Sequence, residues 1–264
     1  MKSHETVGIW KLGETIHQSD PFRVARCQPN IASGSPRWDY VIKSGSSELA
    51  RAGLEASIGV SSAITHPNLV PVLDGDARGE LPYIMMPALA GQTMAELLID
   101  SSRCRLPVAL WMVRQLCQAL EAMHREGWTH GDVKPSNVIV GENGHATLID
   151  LAFAYCGTPP ASFPFVGTPE YAAPELVHNA SARTPASDVF ATGRVLWEWM
   201  TRVETSDESL LTPICRLVET MVAERPSDRP SASSIIKELL RLEIDSLGEH
   251  ISPPTATKST RRAA

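Results

Sequence analysis

The chain has 264 residues, of which 43% are hydrophobic, and a formal net charge of −6. This size and composition allow one large domain or two small ones with a well-filled core, whereas the negative charge argues against a nucleic-acid partner. No apolar run reaches the roughly 18 residues of a membrane span. The first residues lack the apolar segment of a signal peptide. The five cysteines include no Cys-x-x-Cys pair, which favours reduced thiols in a cytoplasmic protein.

The first third of the chain predicts a sheet with one helix. Five short segments have strand-like composition: residues 7–12, 22–25, 39–43, 69–73 and 83–86. Residues 47–65 carry apolar side chains at helical spacing and end at a His-Pro pair. We therefore expect a mainly β N-lobe over about residues 1–86, followed by a linker at residues 87–91.

The rest of the chain predicts helices. Four segments have helical periodicity: residues 107–126, 187–201, 214–222 and 232–242. Strands followed by helices predict an α+β fold with two lobes, the larger C-lobe spanning residues 92–247. From residue 248 the composition becomes polar, proline-rich and basic, so we expect residues 248–264 to form a disordered tail.

The run T-H-G-D-V-K-P-S-N at residues 129–137 carries the clearest functional signal. Asp132, Lys134 and Asn137 lie within one loop, and Asp150 follows a short predicted hairpin. A base, a phosphate-facing cation and two metal-facing oxygens are the groups that phosphoryl transfer needs. The spacing resembles the catalytic loop H-R-D-x-K-x-x-N of eukaryotic-type Ser/Thr protein kinases, with the metal-binding D-F-G motif downstream.

This resemblance implies a bilobal protein-kinase-like domain over residues 1–247 and transfer of the ATP γ-phosphate to Ser/Thr hydroxyls. The protein substrate itself is not identified by the sequence. By the same resemblance Asp132 acts as the base, and Lys134 neutralises the transferring phosphoryl group. Asn137 and Asp150 would hold Mg²⁺, a hard cation that prefers oxygen ligands.

The resemblance also implies a nucleotide site between the lobes. Lys43 ends a strand that is similar to the V-A-I-K motif, whose lysine grips the α- and β-phosphates. Met86 stands at the gatekeeper position. The Pro87 carbonyl and the Leu89 N–H would bind adenine, and the missing N–H of proline does not prevent this. Three further apolar side chains are expected to bind the nucleotide: Val24, Val41 and Ile139.

Residues 165–175, which read F-V-G-T-P-E-Y-A-A-P-E, resemble the end of a kinase activation segment. The resemblance implies that the Thr168 hydroxyl bridges the catalytic base and Lys134. It also implies a buried ion pair between Glu175 and Arg229 and a bracing role for Asp188 beneath the catalytic loop. A His-Gly-Asp loop also occurs in aminoglycoside-type phosphotransferases, but the Lys-Pro pair and this segment favour a protein kinase.

Two departures from the family pattern concern ATP. Residues 16–22 stand where a glycine-rich loop is expected, and without glycines the backbone N–H groups approach phosphates less closely. The alternative is therefore a pseudokinase that acts as a scaffold or allosteric partner. In the family a carboxylate on this helix pairs with the lysine that corresponds to Lys43. If the helix carries a two-residue insertion, which we favour, this carboxylate is Glu55. Without the insertion Ser57 occupies the position, and Lys43 lacks a carboxylate partner from the helix.

Other departures concern regulation and substrate selection. Ala152 replaces the glycine of D-F-G. Gly131 replaces the arginine that pairs with a phosphorylated activation loop, so we expect activity without phosphorylation of that loop. About a dozen residues, 202–213, separate two predicted helices, which predicts a shortened or missing substrate-docking helix.

Overall fold

The structure is a computed structural model that describes residues 5–30, 38–100, 104–203 and 207–251, with side chains described as far as residue 247. Its N-terminal part is an antiparallel sheet with one helix. The described strands are β1 (Thr6–Val7), β2 (Trp10–Ser19), β3 (Phe22–Pro29), β4 (Tyr40–Ser44), β5 (Asp74–Asp76) and β6 (Tyr83–Pro87), in the spatial order β1-β2-β3-β4-β6-β5. Helix α1 (Glu48–Ala63) begins at Ser47, whose hydroxyl accepts a hydrogen bond from the Ala50 N–H.

The C-terminal part is mainly helical and is built around one long helix. After the short strand β7 (Gln92–Thr93) come α2 (Met94–Asp100) and α3 (Leu106–Arg125). The apolar stripe of α3 is almost completely buried, with Leu110, Val113, Leu116, Leu120 and Met123 each at most 1% exposed. The later helices are α4 (Pro174–His178), α5 (Pro185–Met200), α6 (Glu208–Met221) and α7 (Ala232–Ile251), of which α5 and α7 pack on α3.

Two small strand pairs hold the predicted catalytic loop between the lobes. Strand β8 (Trp128–Thr129) leads into the loop, and β9 (Val138–Val140) leaves it. Strand β9 pairs with β10 (Ala146–Leu148), whereas β8 pairs with β11 (Tyr155–Cys156). Both ends of the loop are therefore anchored in hydrogen-bonded backbone.

The predicted two-lobed α+β fold is confirmed, with local corrections. Residues 69–73 do not form a strand but contribute one isolated parallel bridge, between Leu69 and Leu148; there Val70 donates to the Leu148 carbonyl at 3.0 Å and Leu148 donates to the Asn68 carbonyl at 2.8 Å. The sheet strand is instead β5, a little further along the chain. Helix α6 starts earlier than predicted, since the Asp207 side chain accepts from the Ser209 N–H and caps it.

The C-terminal boundaries also differ from prediction. Helix α7 continues to Ile251, so helical structure extends past the predicted start of the tail at residue 248. Residues 252–264 lie outside the described residues. The connection between α5 and α6 is described only at residues 201–203 and 207, so the shortened or missing docking helix stays a prediction. Within the described ranges, no helix combines the length and the apolar character of a membrane span.

Candidate active site

Asp188, in the first turn of α5, holds the catalytic loop from below. Its two carboxylate oxygens accept the backbone N–H groups of His130 and Gly131, each at 2.9 Å, and one of them also contacts the His124 ring at 2.9 Å. Burial alone would raise the pKa of Asp188, but the histidine and backbone hydrogen bonds outweigh it and lower this pKa. A charged carboxylate therefore orients the loop, as the sequence predicts.

Asp132, Lys134 and Thr168 form a closed hydrogen-bonded triangle. The Thr168 hydroxyl donates to Asp132 Oδ1 at 2.7 Å and accepts from Lys134 Nζ at 2.7 Å, while Lys134 Nζ lies 2.8 Å from Asp132 Oδ2. Asn137 Nδ2 adds a bond to Asp132 Oδ2 at 3.0 Å. A carboxylate has about four lone-pair sites, so these three donors leave one site for a substrate hydroxyl.

Asn137 and Asp150 are neighbours across the end of the β9–β10 pair. The Ile149 N–H donates to the Asn137 carbonyl at 2.8 Å, which brings the side chains of residues 137 and 150 to one edge. The Asn137 amide nitrogen donates to the Asp132 backbone and side chain, so the amide oxygen is the atom that could serve as the predicted metal ligand. One amide oxygen and one carboxylate suit Mg²⁺, which completes its shell with water and phosphate oxygens.

Lys43 is buried, at 5% exposure, and donates to Asp150 Oδ1 at 2.6 Å. Burial alone would raise the pKa of Asp150, but the charge and hydrogen bond of Lys43 hold it below its usual value. Asp150 has a φ of 62°, a sparsely populated conformation for a non-glycine residue that is typical of functional sites. The predicted phosphate-binding lysine and metal-binding aspartate are thus brought together.

The predicted contact between Glu55 and Lys43 is not formed. Glu55 lies on the exposed face of α1 and binds Arg78 at 3.0 Å. Ser57, the alternative position, is buried, but its hydroxyl donates to the Gly53 carbonyl of its own helix. The expectation for Glu55 was wrong because an insertion was assumed, whereas the helix turns that residue to solvent.

The apolar residues predicted to bind the nucleotide are all half-buried. Strand pairing places Val24 beside Lys43, and Val41 beside Met86. Among the described residues no acceptor takes the Leu89 N–H, whereas the Ala88 N–H is used by the Asp39 carbonyl at 2.8 Å. The remaining members of this set are Pro87, at the end of β6, and Ile139, in the middle of β9.

The predicted ion pair between Glu175 and Arg229 is present and bidentate, with both N–O distances at 2.8 Å. The Arg229 side chain is fully buried, and it also donates to the Ala186, Ala223 and Glu224 carbonyls. Burial raises the pKa of Glu175, but the Arg229 hydrogen bond more than compensates, and the net shift is downward. The pair ties α4 to the loop before α7.

Arg183 is a candidate functional residue that sequence reasoning missed. It is 3% exposed and lies against Gly131, where a Cβ atom would overlap its guanidinium. Its Nη1 donates to the Phe153 carbonyl at 2.5 Å, and its Nη2 donates to the Val166 carbonyl at 3.1 Å. Arg183 thus connects the start of the activation segment, at Phe153, to its later part, at Val166. The only signal for this long-range contact in the sequence was Gly131, which stands where the family pattern has an arginine.

The expected glycine-rich loop is replaced by a tight hairpin. Ser19 and Phe22 pair across a turn made by Asp20 and Pro21, so β2 and β3 run without a glycine between them. Phe22 is buried, and its ring centroid lies 4.0 Å from Lys43 Nζ. The hairpin tip therefore brings an aromatic ring, rather than a flexible backbone, to the lysine.

The fold has a mainly β lobe and a helical lobe, and the predicted base, lysine, amide and aspartate lie between the two lobes. These features define a phosphotransferase of the protein kinase class. The chain belongs to this family, since the protein kinase domain model matches residues 40–212. It is similar to serine/threonine-protein kinase PkaA of Streptomyces coelicolor, with 30% identity over 71% of this chain and 39% of that protein.

Mycobacterial relatives show a similar likeness. Serine/threonine-protein kinase PknK of Mycobacterium tuberculosis is 30% identical over 83% of this chain and 22% of its own length. PknL of the same organism is 30% identical over 71% of this chain and 46% of its own length. The chain therefore spans less than half of each of these relatives, and the resemblance to Ser/Thr protein kinases is confirmed for the domain.

Proposed function

We propose that this protein is a Ser/Thr protein kinase that transfers the γ-phosphate of ATP to hydroxyl groups of protein substrates. The observation that carries the proposal is the triangle of Asp132, Lys134 and Thr168, whose sides are 2.7, 2.7 and 2.8 Å. Such an arrangement orients a base beside a cation, which is what an in-line attack on a phosphoryl group requires.

In the proposed reaction the substrate hydroxyl binds to the open lone-pair site of Asp132. The hydroxyl oxygen forms a bond to the γ-phosphorus, the bond from that phosphorus to the bridging oxygen of ADP breaks, and the hydroxyl proton passes to Asp132. Lys134 neutralises charge on the transferred group. Thr168 holds both side chains in register, so it sets their positions without entering the bond changes.

ATP would bind with its phosphates at Lys43 and its adenine at the linker carbonyl of Pro87 and the N–H of Leu89. Asn137 and Asp150 would hold Mg²⁺, which supplies positive charge to the phosphate oxygens. Lys43, already paired with Asp150 at 2.6 Å, fixes this carboxylate.

The site is proposed to work without phosphorylation of its activation segment. In the family pattern an arginine next to the base binds a loop phosphate; here Gly131 stands at that position. Arg183 supports the proposal, because it already binds the segment carbonyls of Phe153 and Val166. An ordered segment needs no added phosphate to bring Thr168 to the catalytic loop.

The test is transfer of labelled phosphate from Mg-ATP to a generic basic protein. Asp132→Asn keeps the side-chain shape and removes the base, and Lys43→Met removes the phosphate-binding cation. We expect both variants to lose transfer, with Asp132→Asn still showing a rise in melting temperature with Mg-ATP. No transfer by the unaltered protein, together with no such rise, would refute the proposal.

The hairpin at residues 19–22 favours a second candidate, a pseudokinase scaffold. Asp20 adds a negative charge there, and Pro21 removes a backbone N–H that could bind phosphate. Nucleotide binding by the unaltered protein without phosphate transfer to itself or to added proteins would favour this second function.

A further inference from the structure

Three departures from the kinase pattern meet at one point in the structure. Phe22 ends the stretch that replaces the glycine-rich loop, Ala152 replaces the glycine after the metal-binding aspartate, and α1 directs no carboxylate to Lys43. The Phe22 ring packs in a buried cluster with four further apolar residues and Ala152: Ala50, Leu54, Ala77 and Ile84. Two of the departures, Phe22 and Ala152, therefore belong to one packed cluster, and this cluster lies beside the lysine that lacks the helix carboxylate.

The seat of the Phe22 ring is made by small residues. A Cβ atom on Gly53 would lie 2.9 Å from Phe22 Cζ and 3.0 Å from Ala152 Cβ, closer than packed atoms tolerate. Ala50 and Ala152 border the same ring. Because a larger side chain at residue 53 would displace the ring, the helix surface is complementary to phenylalanine here.

The ring lies over a buried cation. Lys43 Nζ is 4.0 Å from the ring centroid and 2.6 Å from Asp150 Oδ1, and the lysine is 5% exposed. Removing an ammonium from water is costly unless other groups stabilise it. A ring face at this distance attracts the ammonium, an effect on the order of 2- to 30-fold in an equilibrium constant at partly or fully desolvated sites.

We propose that Phe22 is the positioning residue that holds the Lys43 ammonium for the ATP phosphates, in place of a helix carboxylate. In this proposal the ring contacts neither the substrate hydroxyl nor the γ-phosphorus, and it acts only through Lys43. This inference rests on the proposed kinase function, since it concerns how that site binds ATP.

The decisive experiment replaces Phe22 with phenylalanines carrying two, three and five ring fluorines. Fluorination keeps the ring shape and progressively withdraws the π charge that binds a cation. We expect the Kd for Mg-ATP to rise stepwise, to about tenfold for the pentafluoro ring. Phe190 is the matched control, because its ring lies 5.0 Å from the buried Arg229 guanidinium, outside the proposed nucleotide site, and its fluorination should leave the Kd unchanged.

Two truncations test the same idea from the other side. Phe22→Ala removes the ring and should raise the Kd for Mg-ATP. Phe22→Leu keeps much of the apolar volume without a π face, so it should raise the Kd as well. A Kd that is constant across the fluorinated series would overturn the proposal, whatever the melting temperatures of the variants.

A readout without nucleotide separates this inference from the proposed function. Lys43 Nζ lies 4.0 Å from the Phe22 ring centroid, and crystal structures of the nucleotide-free fluorinated variants should show this distance lengthen stepwise along the series. Such a lengthening supports the contact even if the unaltered protein binds no Mg-ATP. An ammonium that stays in place throughout the series contradicts it.

Discussion

Replacing Gly131 with alanine tests the packing beneath the catalytic loop. Gly131 has a φ of 82°, and an added Cβ would overlap the Arg183 guanidinium and approach the Phe153 carbonyl. A non-glycine residue in this left-handed region costs about 1–2 kcal/mol. Overpacking a filled interior costs about 1–3 kcal/mol more, so we expect Gly131→Ala to lower the free energy of unfolding by about 2–5 kcal/mol.

Gly157 provides a matched control for the free-energy cost of placing a non-glycine residue at a positive φ. Its φ is 77°, and a Cβ there would meet no heavy atom within 4 Å. Gly157→Ala should therefore cost only the backbone strain, about 1–2 kcal/mol. The difference between the two variants isolates the contact with Arg183 and Phe153.

The assay is urea unfolding followed by intrinsic fluorescence, with Arg183→Ala and the double variant Gly131→Ala/Arg183→Ala completing a cycle. Removing the guanidinium removes part of the overlap, so the two changes should be non-additive by about 0.5–3 kcal/mol. Equal costs for Gly131→Ala and Gly157→Ala, or strict additivity in the cycle, would refute the reasoning.

Three further outcomes follow from the site. Thr168→Val removes the hydroxyl between Asp132 and Lys134, and it should lower kcat up to about 100-fold with little change in KM for ATP. Thr168→Ser keeps the hydroxyl and should retain most activity. A normal kcat for the valine variant contradicts the bridging role. Thr158→Ala with Ser162→Ala, both exposed, should keep activity within about twofold; in an assay of the purified protein, abolished activity would show that loop phosphorylation is needed. Because the pKa of Glu175 lies below its ordinary value of 4.5, its contribution to stability is present above that pH and is lost as the pH falls further. Glu175→Gln should thus lower the melting temperature at pH 7 and flatten its decline in acid, and an unchanged profile would argue against the pair.

The catalytic loop was predictable because its groups are close in sequence. Asp132, Lys134 and Asn137 lie within one loop, where local geometry alone brings their side chains together. Asp188 and the Glu175–Arg229 pair are distant in sequence, and they were accessible only because the chain resembles a known family. The reduced thiols and cytoplasmic location expected from the cysteines stay predictions.

The missed features depend on contacts that no local pattern encodes. Whether Glu55 faces Lys43 depends on the rotation of α1, which here exposes Glu55 and packs Gly53 closely against Phe22. The contact of Arg183 depends on the fold of the whole activation segment. The end of α7 differs from prediction because the composition of its last turn resembles that of the tail.

The contact of Gly131 with Arg183 constrains how this chain can evolve. An arginine at position 131 would match the pattern of the wider family, yet it would compete with Arg183 for the same space and take a left-handed backbone. A change towards the family pattern should therefore be harmful until position 183 changes as well. We expect the two positions to be epistatic, so consensus substitutions meant to stabilise this protein should leave position 131 unchanged.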